Sequence, residues 1–263
     1  IQAAQKWAKS ASQKNASAAK LCSDFGSAAV TLLTRQFSAN EAIAWLEAAR
    51  DAAARLGNIY DRLGHVYNLG NLYTLRSENE KAISCFRECL RVADGLGEQA
   101  LRGKGVFLGQ LGTVYFAQNR LDEALECFAE QLILARKFKE NREITSALGN
   151  LGRAYRAKKD FDKARVYLEE DLEITRKTGD RHGEGIALGS LGQIYFELQE
   201  YAKAIGCHTQ YLQHARATGD RQHEITALGS LAHAYHASGN AEKAIACSKN
   251  AVKAAQAMNN RRE

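Results

Sequence analysis

The chain has 263 residues, 45% hydrophobic and 25% charged, an ordinary globular balance with ample apolar material for a core. Its formal charge is +6, but acids and bases are interspersed, which argues against nucleic-acid binding and leaves at most a weak preference for acidic partners. No run of 18 apolar residues exists to cross a bilayer as a helix, and the absence of proline points to helices joined by short turns.

The opening segment IQAAQKWAKSASQKNASAAK is rich in Ala, Ser and Lys and contains no acid. Residues 1–20 read either as a capping helix anchored by Trp7 or as a flexible lead-in. Residues 21–58 read as a degenerate helical repeat, visible in NEAIAWLEAARDAAARLGN, with Ala42 in a slot that recurs downstream. From Ile59 the pattern becomes regular. NLGNLYTLRSENEKAISCF begins at Asn68, FLGQLGTVYFAQNRLDEALECF at Phe107 and ALGNLGRAYRAKKDFDKARVYL at Ala147. ALGSLGQIYFELQEYAKAIGCH follows from Ala187 and ALGSLAHAYHASGNAEKAIACS from Ala227. Leu111, Leu151, Leu191 and Leu231 step by 40 residues, as do Tyr115, Tyr155, Tyr195 and Tyr235. A fixed period of this size is the signature of stacked helical repeats. The copies divide the chain at 59–98, 99–139, 140–179, 180–219 and 220–260. The chain starts at Ile1, its one methionine is Met258, and MNNRRE imitates the TGDRQHE that opens the preceding repeat. A fragment of a longer protein, continuing into another repeat, is therefore expected.

Each copy predicts two helices. In the fourth regular copy, Asp180 is placed to cap the first helix and Glu184 lies near its positive end. Leu188, Leu191 and Tyr195 form one apolar stripe. A tight turn at Gln199 leads to a second helix from Tyr201 to about Ala217, with Ala204, Cys207 and Tyr211 inward. Gly219 ends that helix and Asp220 caps the next. Glycines inside these helices cost roughly 1 kcal/mol each against alanine, so they require a reason. Gly192 and Ala204 suggest close approach of the two helices of a hairpin, with Ala232 showing that one methyl is tolerated. For Gly109, Gly149, Gly189 and Gly229, two uses stay open: deepening a ligand groove, or packing between neighbouring repeats.

The pattern Leu-Gly-x-x-Tyr, then alanine nine residues later and a large residue after four more, resembles the tetratricopeptide repeat. Phe86, Phe128 and Leu168 fill the last slot, whereas His208 and Ser248 depart from it. The long 40-residue spacing resembles the subclass found in Partner of Inscuteable-type adaptors, although Asn68-Leu69-Gly70-Asn71 alone carries its full Asn-Leu-Gly-Asn signature. The resemblance implies an all-α, right-handed α-solenoid of antiparallel helix pairs, about six in number with the first degenerate. It also implies a concave groove lined by first helices. Asn71, Thr113, Arg153, Gln193 and His233 would face that groove, followed by Thr74, Phe116, Arg156, Phe196 and His236.

Six cysteines invite a metal or disulfide reading. Cys85, Cys127, Cys207 and Cys247, however, share a slot with Trp45 and Tyr167, so packing explains them, and buried free thiols suit a reducing, cytoplasmic compartment. His233 and His236 could pair on a metal but lack a third ligand nearby, which favours recognition. No Ser/His/Asp grouping, phosphate loop or zinc-protease motif is legible, and no cofactor is expected. The expectation is a non-enzymatic scaffold that holds a partner peptide with acidic groups. Arg153 and Arg156 would provide carboxylate contacts and Phe116 and Phe196 apolar anchors. A sensor or autoinhibitory arm of a larger signalling chain, with a nucleotide-dependent switch or protease-type effector elsewhere, is the alternative.

Overall fold

A computed structural model describes residues 8–12, 15–24 and 38–259. Trp7 and the tail from Asn260 lie outside the described residues. Helical residues 8–11 and 16–24 precede eleven longer helices. These are α1 (Ala39–Arg55), α2 (Ile59–Leu75), α3 (Asn79–Ala93), α4 (Gly97–Ala117), α5 (Leu121–Phe138) and α6 (Asn141–Ala157). They continue as α7 (Phe161–Thr178), α8 (Arg181–Glu197), α9 (Tyr201–Thr218), α10 (Arg221–Ala237) and α11 (Ala241–Asn259). No strand occurs among the described residues, and the fold is the all-α solenoid of helix pairs expected from the repeat. The chain divides into two compact units, residues 1–134 and 135–263, with the division inside α5.

Short connections shape both units. Each joint between consecutive helices contains one residue at positive φ. Within helix pairs it is Ser77, Asn119, Lys159, Gln199 or Gly239; between pairs it is Gly57, Gly97, Lys139, Gly179 or Gly219. A chain that must reverse in two or three residues needs this left-handed step, which costs a non-glycine residue roughly 1 kcal/mol. Caps then fix where the next helix starts. Ser38 and Glu41 form a capping box on α1. The side chains of Asn58, Asp160, Asp180 and Asp220 each accept a first-turn N–H of the helix that follows. Asp180 and Asp220 do so directly after the left-handed Gly179 and Gly219, as the sequence predicts.

The tyrosine at the end of each first helix ties the pair together. Lys81, Lys163, Lys203 and Lys243, from the first turn of the second helix, lie 5.2, 5.2, 5.3 and 5.5 Å from the ring centres of Tyr73, Tyr155, Tyr195 and Tyr235. Arg120 takes this place over Tyr115, at 4.4 Å. The negative face of each ring attracts the cation, weakly at these exposed sites. Three of the hydroxyls reach the preceding pair: Tyr73 donates to Glu47 at 3.2 Å and Tyr195 to Glu169 at 2.8 Å, while Tyr115 accepts from Arg87 at 2.8 Å. One residue type therefore serves both the hairpin and the stacking of hairpins. At the N-terminal end, Ala8, Ala19 and Cys22 pack against Ala48 and Ala52 of α1.

The helix glycines have a more specific cause than close approach to Ala204. A Cβ on Gly152 would stand 2.5 Å from Cγ of Leu168, and one on Gly112 would stand 2.6 Å from the ring of Phe128. Gly70 holds the same relation to Phe86, and Gly192 to the imidazole of His208. In each pair the side chain sixteen residues on, from the second helix, occupies the space a methyl would need. His208 therefore fills the large-residue slot, with 2% of its surface exposed. The last copy changes both positions together, Ala232 for glycine and an exposed Ser248 for the large residue.

This account predicts opposite signs for two glycine-to-alanine changes. Gly206 of α9 has open space where a Cβ would stand, so Gly206→Ala gains about 1 kcal/mol in urea denaturation. Gly152→Ala loses about 1–3 kcal/mol, and most of that loss vanishes in a Leu168→Ala background. An additive double mutant would refute the volume exchange.

Candidate first-helix recognition face

The second unit shows the first-helix face most clearly, on α6, α8 and α10. Three clefts lie along it. A cavity of ≈ 290 Å³ between α6 and α8 is bounded by Arg142, Thr145, Ser146, Gly149, Asn150 and Arg153 on one side. His182, Gly183 and Ile186 bound the other side, beside the capping Asp180, and Asp171 of α7 lies at the floor. A narrower space of ≈ 100 Å³ follows, between Arg153 and Arg156 of α6 and Ser190 and Gln193 of α8. A third, of ≈ 250 Å³, is lined by Arg156, Gln193, Phe196, Glu197, Ser230 and His233, with His208 at its base.

Five of the residues singled out from the sequence thus line neighbouring clefts: Arg153, Arg156, Gln193, Phe196 and His233. Arg156 donates a hydrogen bond to the Gln193 side-chain oxygen, which fixes its guanidinium across the α6–α8 seam. Arg153 and His233 are exposed, and Gln193 and Phe196 are half-buried. The Phe196 ring packs on Tyr201 with centroids 5.6 Å apart, so one of its faces belongs to the hairpin turn. His236 is exposed on the last turn of α10 and lines none of these three clefts. In the first unit, Asn71, Thr74 and Phe116 are half-buried and Thr113 is exposed. The Thr74 and Thr113 hydroxyls donate to the carbonyls of Gly70 and Gly109 within their own helices, both at 2.9 Å.

Sequence reasoning missed the floor. Asp171 and His208 come from second helices, where the repeat pattern assigns packing roles, yet each reaches a cleft between first helices. Asp171 is 5% exposed and its Oδ1 has no hydrogen-bond partner; Nδ1 of His208 has none either. Burial, with a smaller contribution from Asp180, pushes the Asp171 carboxyl up to about 7. Burial alone lowers His208 to about 4. The signal available in the sequence was the departure of His208 from an otherwise large apolar slot.

Within the second glycine set, Gly109 and Gly189 depart from both expected uses, whereas Gly149 does border a cleft. Cβ atoms on Gly109 and Gly189 would meet Gln131 at 2.8 Å and Tyr211 at 3.1 Å, side chains of the second helix of the same hairpin. Gly149 stands over Asp171 at 3.5 Å and borders the largest of the three clefts, while a Cβ on Gly229 would meet nothing within 4 Å.

A further correction lies in the first unit. The Ser23 hydroxyl is 3.0 Å from Nε2 of His65 and 3.4 Å from Asp61, a Ser/His/Asp grouping that sequence spacing did not reveal. Here the serine stands between the other two, Nδ1 of His65 has no partner, and serine and histidine are each 1% exposed. The carboxylate thus does not orient the imidazole, and no substrate reaches the hydroxyl, so the order of a catalytic triad is not met. The six cysteines are free thiols. Burial pushes Cys85 up to about 11 and Cys89 and Cys127 to about 12, the behaviour of packed and unreactive groups. Among the described residues, no group of three or more His, Cys, Asp or Glu is placed to hold a metal ion. No described helix is long and apolar enough to cross a membrane.

An all-α stack of helix hairpins with clefts between its first helices defines the class of helical-repeat proteins. The family follows from comparison: tetratricopeptide-repeat models match residues 105–177, 142–217 and 183–257, and a second model of the same description matches 65–100. The chain belongs to the tetratricopeptide repeat family. No curated protein sequence matches it. Among solved structures, it resembles BtubC (BKLC) from P. vanneervenii, with 22% identity, TM-score 0.77, and 85% of this chain covered against 93% of that one. It also resembles a signal transduction ATPase with numerous domains that carries a tetratricopeptide repeat sensor, from Pyrococcus horikoshii. That match has 21% identity and TM-score 0.67, and covers 93% of this chain but 36% of the other. A Rap protein complexed with Competence and Sporulation Factor matches at 17% identity and TM-score 0.65, over 86% of this chain and 62% of that one. At these identities the likeness speaks for the fold.

The two buried floor groups predict opposite pH trends. The folded Asp171 holds its proton to a higher pH than the unfolded chain does. Its contribution is therefore complete below about pH 4 and is lost as pH rises towards 7. Asp171→Asn should gain on wild type by roughly 3 kcal/mol between pH 4 and pH 8. His208 is held neutral below its unfolded value, so its contribution is present above about pH 6.5 and is lost as pH falls towards 4. His208→Leu, which copies the Leu168 slot, should show a gain about 2 kcal/mol larger at pH 5 than at pH 8. Chemical denaturation across pH measures both; parallel wild-type and mutant curves would contradict the assignments.

Proposed function

We propose that the chain is a non-enzymatic interaction scaffold that holds a peptide segment of a partner protein along its first-helix face. The observation that carries this reading is the convergence of Arg153, Arg156, Gln193 and His233 from successive first helices on adjoining clefts. A repeat that needed these positions for packing alone would close the seams between α6, α8 and α10. Instead the seams hold open space bordered by long polar side chains. An extended ligand laid across the helices meets one such position about every repeat, and guanidinium groups give carboxylates of the ligand paired, planar hydrogen bonds. The free face of Phe196 supplies an apolar anchor. The 40-residue step supports membership of the long-repeat adaptor subclass within the family, and the buried, unreactive thiols support work in a reducing, cytoplasmic compartment.

A second reading keeps the same face but makes it the sensor arm of a longer signalling chain. It is supported by the match to the Pyrococcus horikoshii protein, in which the matching tetratricopeptide repeats are one part of a larger polypeptide. The two readings share the recognition step and differ in what the bound ligand controls.

Selection of a random dodecapeptide library on the immobilised chain yields ligands for the face directly. Arg153→Glu with Arg156→Glu should weaken the selected acidic peptides about 100-fold, since both charge-assisted contacts become repulsions. Circular dichroism of the double mutant establishes that it folds. Undiminished binding by the folded double mutant would remove this face from the account.

A further inference from the structure

The cleft between α6 and α8 differs from its counterparts in the other repeats in what stands beneath its glycine. The residue 22 positions after Gly109, Gly149, Gly189 and Gly229 is Gln131, Asp171, Tyr211 and Ala251 respectively. Gln131 and Tyr211 are long enough to fill the space over their glycines, with atoms 2.8 and 3.1 Å from where a Cβ would stand. Asp171 is shorter, stops at 3.5 Å, and leaves the cavity of ≈ 290 Å³ open above its carboxyl. Its Oδ1 is buried and unpartnered, and an acceptor in that state costs about 1–3 kcal/mol unless something donates to it. A structural carboxylate would be expected to have a cap or an ion pair; this one has neither on that oxygen. The side chain whose charge acts on it is Asp180, a second acid at the rim of the same cavity.

The geometry points to a subsite for a basic side chain: the α6–α8 cleft takes a lysine or arginine of the bound peptide, whose cationic head pairs with the Asp171 carboxyl at its floor. This inference rests on the peptide-binding reading above and adds the chemistry of one ligand residue. Shape and charge agree with it. Gly149, Gly183 and the half-exposed Ile186 give the cleft an apolar stretch that suits an aliphatic stem, beside the polar Thr145, Ser146 and Asn150. A carboxylate ligand would meet two acids there. An apolar ligand would cover the carboxyl without offering it a donor. Arg142 and Arg153 border the rim and answer ligand carboxylates on either side, so the peptide favoured by the face as a whole alternates acidic residues with a basic one at this cleft.

The test uses N-acetyl-arginine amide and N-acetyl-lysine amide as probes, with N-acetyl-citrulline amide as the uncharged match in shape. Binding is followed through the backbone amide resonances of Gly149 and Gly183 in the whole chain. At least one basic amide should produce saturable shifts, citrulline amide should bind about tenfold more weakly, and Asp171→Asn should weaken the basic amide about tenfold. A second measurement does not depend on the variant: the carboxyl carbon resonance of Asp171 in the wild type should titrate at lower pH when the basic amide is present. The other ionisable groups facing this cavity are Arg142, Arg153, Asp180 and His182, and His182→Asn should leave that displacement in place. Failure of both basic amides to bind, equal affinity for citrulline amide, unchanged affinity in Asp171→Asn, or an unmoved Asp171 titration would each overturn the assignment. The small probes interrogate the cleft alone. If they fail while selected peptides still require Arg153 and Arg156, the subsite falls and the scaffold reading stands; the reverse result rejects the peptide groove and keeps the cation site.

Discussion

The insertion of one second-helix side chain into the space of a missing first-helix methyl is the contact on which the rest of the structure depends. Phe86 over Gly70, Phe128 over Gly112, Leu168 over Gly152 and His208 over Gly192 lock each hairpin at a spacing that tolerates neither a larger first-helix residue nor an empty second-helix slot. A glycine in a helix interior is unfavourable by itself. It persists here because the buried ring or branched chain opposite it returns more by filling the gap, about 1.5–3 kcal/mol for a fully buried apolar side chain.

Once hairpin spacing is fixed, the tyrosines set the spacing of hairpins. Tyr195 is clamped by Lys203 within its own pair and donates to Glu169 of the preceding pair, and Tyr73 repeats the arrangement with Lys81 and Glu47. The second helices add a ladder of their own in the second unit, where Arg136 reaches Glu170 and Arg176 reaches Gln210 across 34 residues of sequence. Exposed pairs of this kind contribute little energy individually. Their effect is on register: stacking a single element repeatedly produces a solenoid only if each copy meets the last at the same place.

The largest of the three clefts lies where this regularity is relaxed. The α6–α8 cleft opens where a filling residue has been replaced by something shorter, Asp171 under Gly149, while His208 still fills its slot under Gly192 and brings a polar ring to the base of another cleft. Both residues carry a cost in stability that varies with pH in opposite directions. The buried Ser23–His65–Asp61 group shows the converse case. Reactive residue types are brought together there, but burial and the wrong order of contacts leave them with a structural role.

The periodic leucines, glycines and tyrosines made the helix pairs legible from sequence alone, because a 40-residue period with an apolar stripe permits few arrangements besides stacked hairpins. Capping was equally legible: Asp180 and Asp220 after their glycines need only local backbone geometry. Part of the candidate site could also be read, since Arg153, Arg156, Gln193 and His233 occupy fixed offsets from the repeated leucine. What the sequence could not supply was the partner of each glycine. The side chain sixteen or twenty-two residues away meets it only after the chain has turned. Gly192 therefore faces His208 rather than Ala204, and the space over Gly149 became visible only with Asp171 placed beneath it. Local periodicity determined the elements; the distance between two helices, which no single helix encodes, decided which residues are buried, which are left without a partner, and where a ligand can enter.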